Sequence, residues 1–242
     1  MNDVFKQTIV RGCTMAGIEI PGDVIKKYEK YYQLLCQKNS EFNLTSITDP
    51  AEAAEKHFID SILLYQDISR DKSISTTISM VDIGSGAGFP GLPLKIYQPD
   101  IIITLIDAVG KKVNFMQQVI KELDIDNARA IHIRAEELSV TGREKYDVAV
   151  SRAVAELRVL VEYALPLVKV GGLFIAAKGP NVQDELSSAE RAIKILGGKI
   201  IGTRHIALPL SHEGRSIITI EKVNNTPDKY PRRAGIPKKR PL

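Results

Sequence analysis

From Val81 to Gly91 the sequence VDIGSGAGFPG runs an apolar, β-branched stretch straight into a glycine-rich turn at the head of a helical pattern. A strand that gives way so abruptly to a helix belongs to a parallel α/β sheet, and that turn is where such sheets hold nucleotide-like ligands. Glycine is needed because the backbone must adopt φ values that other residues resist and must come close to a ligand. Taken alone, the run is weak evidence, and a tight strand-to-helix turn that binds nothing is the lesser, competing reading.

The chain beyond Ser79 supports the sheet. Short apolar and β-branched runs recur as SMVDI, IIITLI, RAIHI, YDVAV, GGLFIAA, IIGTRHIAL and RSIITIEKV. Helical patterns fill the gaps, notably GKKVNFMQQVIKELD, AELRVLVEYALPLV and VQDELSSAERAIKIL. This alternation predicts an α/β fold with a seven-stranded, mostly parallel sheet and helices on both faces. The last two runs leave no room for a helix between them, so the sheet is expected to finish with an antiparallel pair.

Ahead of the sheet, residues 1 to about 68 are helical in pattern. Val24, Ile25, Tyr28, Tyr31, Tyr32 and Leu35 recur at spacings of three and four, the period of one helical face. In TDPAEAAEKHFIDSILLY, Asp49 is placed to cap, Pro50 suits the first helical position and Glu52 falls where a capping box needs its acid. Phe58, Ile59, Ile62 and Leu63 then face inward. The polar segment RDKSISTT, Arg70 to Thr77, marks a surface connection. Three regions are expected: an N-terminal helical region, 1–70, packed on the core; a core, 71–228; and a basic C-terminal tail, 229–242.

A chain of 242 residues with 44% hydrophobic and 26% charged residues has the side chains for a packed core and is not disordered. No apolar run reaches the length of a membrane span, and the opening MNDVFKQTIVRG lacks the central run of a secretory signal, so a cytoplasmic protein with no membrane partner is expected. Cys13 and Cys36 form no CxxC and have no histidine cluster nearby; neither a metal site nor a disulfide framework is expected. Lys229, Arg232, Arg233, Lys238, Lys239 and Arg240 close the chain without an acid after Asp228, and removing them takes the formal charge from +4 to −2. A near-neutral body with a cationic end suits docking on a polyanion, though a solvated terminus has the same composition.

Asp107 ends the next strand, 23 positions beyond Gly84, about where a carboxylate would hold ribose hydroxyls. Together with Gly84 and Gly86 it makes one coherent cofactor unit. The dinucleotide fingerprint GxGxxG requires glycine where this chain has Phe89, and it seats a pyrophosphate on the helix N-terminus. Asp82, expected at the mouth of the loop, would repel a pyrophosphate but tolerate the ammonium and sulfonium of S-adenosylmethionine, which is therefore favoured over NAD. Ala135 and Glu136 follow the third strand and offer a polar edge to an adenine amino group; an ordinary helix start with acids in its first turn is the competing reading. Arg152, in Ser151-Arg152-Ala153 at the end of the fourth strand, is placed to touch cofactor or substrate, or else to form a surface salt bridge.

No NPPY or DPPY sequence is present for methylating an exocyclic amine, and neither cysteine suits covalent attack on a pyrimidine carbon. A ring nitrogen with a free lone pair, such as guanine N7, needs neither. The in-line displacement then requires positioning more than proton transfer, so no residue is assigned as acid or base and Arg152 is the positioning candidate. His57, His132 and His205 lie within a helix or strands, where packing is the commoner role. His212, Arg215, Lys178 and Arg204 are candidates for a cationic rim, against a default of scattered surface charge.

Several motifs in order carry a closer likeness: FNLTSITDP with the following KHFIDS, VDIGSGAGFPGLPL, LIDAVGKKVNF, RAEE, VSRAVAEL, AAKG and the terminal YPRRAGIPKKRPL. Over nearly its whole length the chain resembles the GidB/RsmG family of bacterial methyltransferases that modify guanine N7 in small-subunit ribosomal RNA. The resemblance implies a Rossmann-like class I methyltransferase sheet, S-adenosylmethionine as cofactor, and 16S ribosomal RNA or the small subunit as partner. It implies cofactor contacts at Gly84, Phe89, Asp107, Ala108, Val109, Ala135, Glu136 and Arg152, of which Phe89, Ala108 and Val109 come from the resemblance only. From charge and location, Lys178, His205, Arg215, Arg232, Arg233, Lys238, Lys239 and Arg240 are expected to face RNA. A monomer is expected. The alternatives are a methyltransferase for a small molecule or protein, an NAD-dependent reductase, and a non-catalytic RNA-binding assembly factor.

Overall fold

Apolar residues at helical spacing build the first layer. The computed structural model describes residues 2–69, 77–152 and 154–242; the boundary expected after residue 70, most of the RDKSISTT connection and Ala153 lie outside the described residues. Helix α1 (Asn2–Met15) and helix α2 (Gly22–Phe42) pack together, and α2 buries Val24, Ile25, Tyr28, Tyr31, Tyr32 and Leu35, the face its periodicity defines. Asp49 caps α3 (Pro50–Ala53) by accepting the Glu52 N–H at 2.9 Å. The Glu52 carboxylate does not return to close a box; it pairs with Lys56 at 2.8 Å.

Helix α3 continues into a π-helical segment (Ala54–Ile59) and then α4 (Asp60–Ile62), with α5 (Tyr65–Ser69) following. The Asp60 N–H reaches back five residues to the Glu55 carbonyl. The wider turn buries Glu55 and His57 together with Phe58 and Ile59, where a 3.6-residue period anticipates only the apolar side chains. Glu55 is satisfied there by the backbone N–H groups of Leu210 and Ser211 at 2.6 and 3.0 Å.

The sheet comprises β1 (Ser79–Ile83), β2 (Ile102–Asp107), β3 (Ala128–His132), β4 (Tyr146–Arg152), β5 (Val168–Lys178), β6 (Gly198–Ala207) and β7 (Gly214–Lys222) in the order β3-β2-β1-β4-β5-β7-β6. β1 to β5 are parallel; β7 is antiparallel to both β5 and β6. Helices α6 (Gly91–Tyr97), α7 (Gly110–Glu122), α8 (Ala135–Gly142), α9 (Leu157–Ala164) and α10 (Gln183–Ile195) connect the strands. The helix expected to run through AELRVLVEYALPLV stops at Ala164, because Pro166 has no N–H for the next helical bond, and β5 starts early at Val168. Chain order reverses at β1, which lies between β2 and β4, so a crevice opens at the carboxyl ends of these strands.

Alternate residues of each strand enter different cores. Met80, Leu105, Val150 and Ile175 join the N-terminal helices in one cluster, which includes Phe5, Tyr28, Phe58 and Phe115. Val81, Ile106, Ala149 and Phe174 face the other cluster with Leu160, Val161 and Ile193. The helical region and the sheet thus share one core. Among the described residues, no helix is long and apolar enough to cross a membrane.

After β7 the chain runs back along α8 and α9 rather than into solvent. Lys222 is wholly buried, with Glu144 Oε1 at 3.3 Å and Thr226 Oγ1 at 2.8 Å, and burial pushes its pKa down to about 8. Arg143 donates to the carbonyls of Thr226 and Tyr230. The segment ends with α11 (Ile236–Lys239).

Candidate active site

The glycine turn is set by neighbouring strands. Gly84 and Ser85 N–H both bond the Ile106 carbonyl, at 2.9 and 3.0 Å, and the Ser85 hydroxyl donates to the Asp82 carbonyl at 3.0 Å. Gly86 has φ +61° with open space where a Cβ would stand, and at Gly84, φ +70°, a Cβ would meet Val154 at 2.6 Å. Side chains at either point would strain the turn and narrow the crevice above it.

That crevice is a cavity of about 890 Å³. Its lining brings together Gly84, Ser85, Ala87, Phe89, Asp107 and Ala108 from the turn and the β2 end with Leu44 to Ile47, Lys56, His57, Asp60, Arg152, Lys178 and Arg215. Asp107 accepts the Gly86 N–H on Oδ2 at 2.9 Å and the Val109 N–H on Oδ1 at 2.8 Å, so its orientation is fixed while lone pairs remain for a ligand. Phe89 stacks on Tyr31 at 5.2 Å and on His57 at 4.5 Å, with the Arg152 guanidinium 5.6 Å from its ring centre. Arg152 donates to the Lys56 carbonyl at 2.8 Å and faces Asp60 at 3.4 Å; Asp60 also takes Arg215 at 3.2 Å.

His57 is held neutral: burial, reinforced by the Arg152 charge, pushes its pKa down to about 3. Its Nε2 lies 3.0 Å from the Thr45 hydroxyl, and its Nδ1 is buried without a partner. Thr45 in turn accepts the Ile47 N–H at 3.0 Å, while Asn39 accepts the Thr45 N–H at 2.8 Å, so the 44–47 wall is a hydrogen-bonded unit. Lys178 is tied to Glu185 at 2.7 Å and Lys56 to Glu213.

Several expected residues stand elsewhere. Asp82 is not at the mouth: it is fully buried beneath the turn, with Oδ2 accepting the Gly91 N–H at 2.9 Å and Oδ1 unpartnered. Burial pushes its pKa up to about 7, and from that position it does not sort cationic from phosphate ligands. Gly86 and Val109 reach the site through their bonds to Asp107 rather than as cavity wall. Ala135 and Glu136 do not line the cavity, and the Glu136 carboxylate accepts the Gly235 N–H at 3.0 Å.

Of the expected RNA-facing residues, Lys178 and Arg215 lie in the cavity wall. His205 is away from it, with Nδ1 3.0 Å from the Ser216 hydroxyl, and Arg204 is paired with Asp67. His212 is exposed and outside the lining. Arg232 does not face solvent as a free cation: its N–H and Nε bond the wholly buried Glu162 at 2.9 and 2.8 Å. Arg233, Lys238, Lys239 and Arg240 are exposed. Lys56, His57 and Asp60 belong to the site without having been singled out for it; the one available signal was three polar residues within an otherwise apolar helix face.

The strand order, the turn at the switch point and the acid ending β2 define a class I methyltransferase. The same fold is found in the YcgJ protein from Bacillus subtilis, with a TM-score of 0.54 at 15% identity over 70% of this chain and 100% of that one. It also occurs in a 16S rRNA (adenine(1408)-N(1))-methyltransferase from Catenulisporales acidiphilia solved with its cosubstrate SAM, TM-score 0.53 at 12% identity over 67% and 92% of the chains. Residues 24–210 match the family described as GidB, rRNA small subunit methyltransferase G, and the chain belongs to that family. Relatives called ribosomal RNA small subunit methyltransferase G include one from Desulforamulus reducens, 48% identical with 89% of each chain covered. Another, from Pelotomaculum thermopropionicum, is 43% identical with 99% of each chain covered. The protein is thus a small-subunit ribosomal RNA methyltransferase, which sets aside the reductase, the small-molecule or protein methyltransferase and the non-catalytic assembly factor.

Proposed function

We propose that the cavity holds S-adenosylmethionine against the glycine turn and that the methyl group goes to N7 of a guanine in 16S ribosomal RNA. The observation that carries this reading is the state of the ionisable groups in the wall. Asp60 is committed to two arginines, Asp107 to two backbone N–H groups, and neutral His57 to Thr45. Among the described residues of the wall, each carboxylate already accepts hydrogen bonds or ion pairs from the protein, and His57, with its pKa pushed down to about 3, is a weak base. Guanine N7 offers a lone pair without deprotonation, whereas an exocyclic amine would lose a proton.

The wall fits the cofactor in three respects. Asp107 presents a fixed carboxylate for ribose hydroxyls, Gly86 leaves open space above the turn, and the volume is in the upper part of the roughly 300–1,000 Å³ spanned by small-ligand sites. When bound, S-adenosylmethionine supplies an electrophilic methyl carbon on a sulfonium. The chain's own residues then orient: the Arg152 guanidinium stands 5.6 Å from the Phe89 ring centre, and Lys112, Arg152 and Arg215 line the cavity where an anionic nucleotide would be held. Incubation of the protein with radiolabelled S-adenosylmethionine and unmodified small subunits should label one guanine at N7; label on another atom or base overturns the reading.

A further inference from the structure

Phe42, the last residue of α2, is the one exposed aromatic side chain among the described residues; the other five phenylalanines are buried, and every tyrosine is buried or partly so. A singly exposed apolar residue is ordinary. What distinguishes Phe42 is its company. The Lys38 ammonium, one turn earlier on α2 and paired with Glu41 at 2.6 Å, is 4.8 Å from the ring centre, and that of Lys111, on α7, is 5.9 Å away. Two cations from separate elements therefore converge on one exposed ring.

Position adds to this. Asn43, with φ +43°, turns the chain directly after Phe42, and Leu44 to Ile47 then form one wall of the cavity. Lys111 is followed by Lys112, which lines the same cavity. The ring thus stands where α2 meets α7, with Leu44, just beyond it in the chain, and Lys111's neighbour Lys112 both lining the cavity.

We propose that Phe42, with Lys38 and Lys111, is a stacking platform for an unpaired nucleobase of the ribosomal RNA next to the target guanine. A base offers a face to the ring regardless of its identity, and the exposed Lys111 ammonium suits a phosphate beside it. The platform requires a single-stranded neighbour, since bases within a duplex already cover their own faces. The inference rests on the reading of the cavity as a site for a ribosomal guanine.

The chain contains no tryptophan, so Phe42→Trp gives a full-length protein with one indole placed at the platform. Small subunits should quench its emission and shield it from acrylamide. Phe42→Ala should raise KM for small subunits about tenfold, the scale of one lost base stack, with kcat and S-adenosylmethionine affinity changed less than twofold and Phe42→Trp retaining the parent KM. Lys111→Ala should weaken binding and lower the salt slope by about 0.7, one phosphate contact. An unchanged KM for Phe42→Ala overturns the platform, as does a blue shift of the indole without quenching, which would mean that a ribosomal protein covers the ring. If the parent protein methylates guanine N7 while Phe42→Ala is silent, the platform alone fails; if the parent labels another atom, the reading of the cavity fails.

Discussion

Asp107 Oδ2 lies 2.9 Å from the Gly86 nitrogen, so the acid that ends β2 is hydrogen-bonded across to the turn that leaves β1. With Oδ1 on the Val109 N–H, one carboxylate ties the two crossovers that bound the cavity. It serves twice: it shapes the turn and it presents lone pairs to a ligand.

Asp107→Ala should therefore weaken S-adenosylmethionine binding by about 10- to 100-fold, the scale of charge-assisted hydrogen bonds. Asp107→Asn should also be defective, because its amide NH₂ would face one of the two backbone N–H donors. Calorimetry on the three proteins checks this, and equal affinities would remove Asp107 from the cofactor site.

The C-terminal segment has two separable roles. Glu162→Ala leaves Arg232 without its partner and should cost about 2 kcal/mol in chemical denaturation, a value moderated because the Arg232 side chain is 25% exposed. Replacing Lys238, Lys239 and Arg240 with alanine should instead preserve stability while lowering RNA affinity, reducing the salt slope by about 2 for three phosphate contacts. Cofactor affinity should be unaffected in the triple variant. Equal loss of RNA and cofactor binding would mean that these cations are structural.

Asp82 and His57 impose opposed pH dependences on folding. Burial raises the Asp82 pKa from 3.8 to about 7. Its contribution to stability is full below pH 3.8 and is lost as pH rises through 7, because the native state keeps a proton that the unfolded chain has released. His57, lowered from 6.5 to about 3 by burial and then by the Arg152 charge, contributes above pH 6.5 and loses its contribution as pH falls toward 3. Asp82→Asn removes only the first dependence. The variant's urea midpoint should gain on the parent's between pH 5 and 8; parallel profiles would show that Asp82 is ionised throughout.

Thr45→Val should cost about 1–3 kcal/mol, since it leaves His57 Nε2 and the Ile47 N–H without their hydroxyl partner in or near the core. Thr45→Ser should recover most of that. Because residues 44–47 line the cavity but belong to neither the glycine turn nor the Asp107 strand end, the valine variant should also raise KM for small subunits more than Kd for S-adenosylmethionine. A reversed order of the two effects would place the wall on the cofactor side.

The sequence by itself determined the sheet, its antiparallel finish, the helix face of α2 and the turn with its distant acid. All of these are written in short-range patterns: alternation, three-and-four spacing, and glycines where a strand meets a helix. Tertiary structure decided what those patterns do not encode, namely which polar groups are buried and with whom. Asp82 immediately precedes the turn in sequence yet lies beneath it, because α6 packs over that face and supplies only one N–H. Lys56, Asp60, Arg152 and Arg215 come together from an interrupted helix, a strand end and the start of β7. Arg232 looked like one cation among six until Glu162, buried on α9, claimed it. Charge and spacing are local properties, whereas solvation and pairing depend on neighbours up to about 155 positions away, and only the folded chain brings those neighbours into contact.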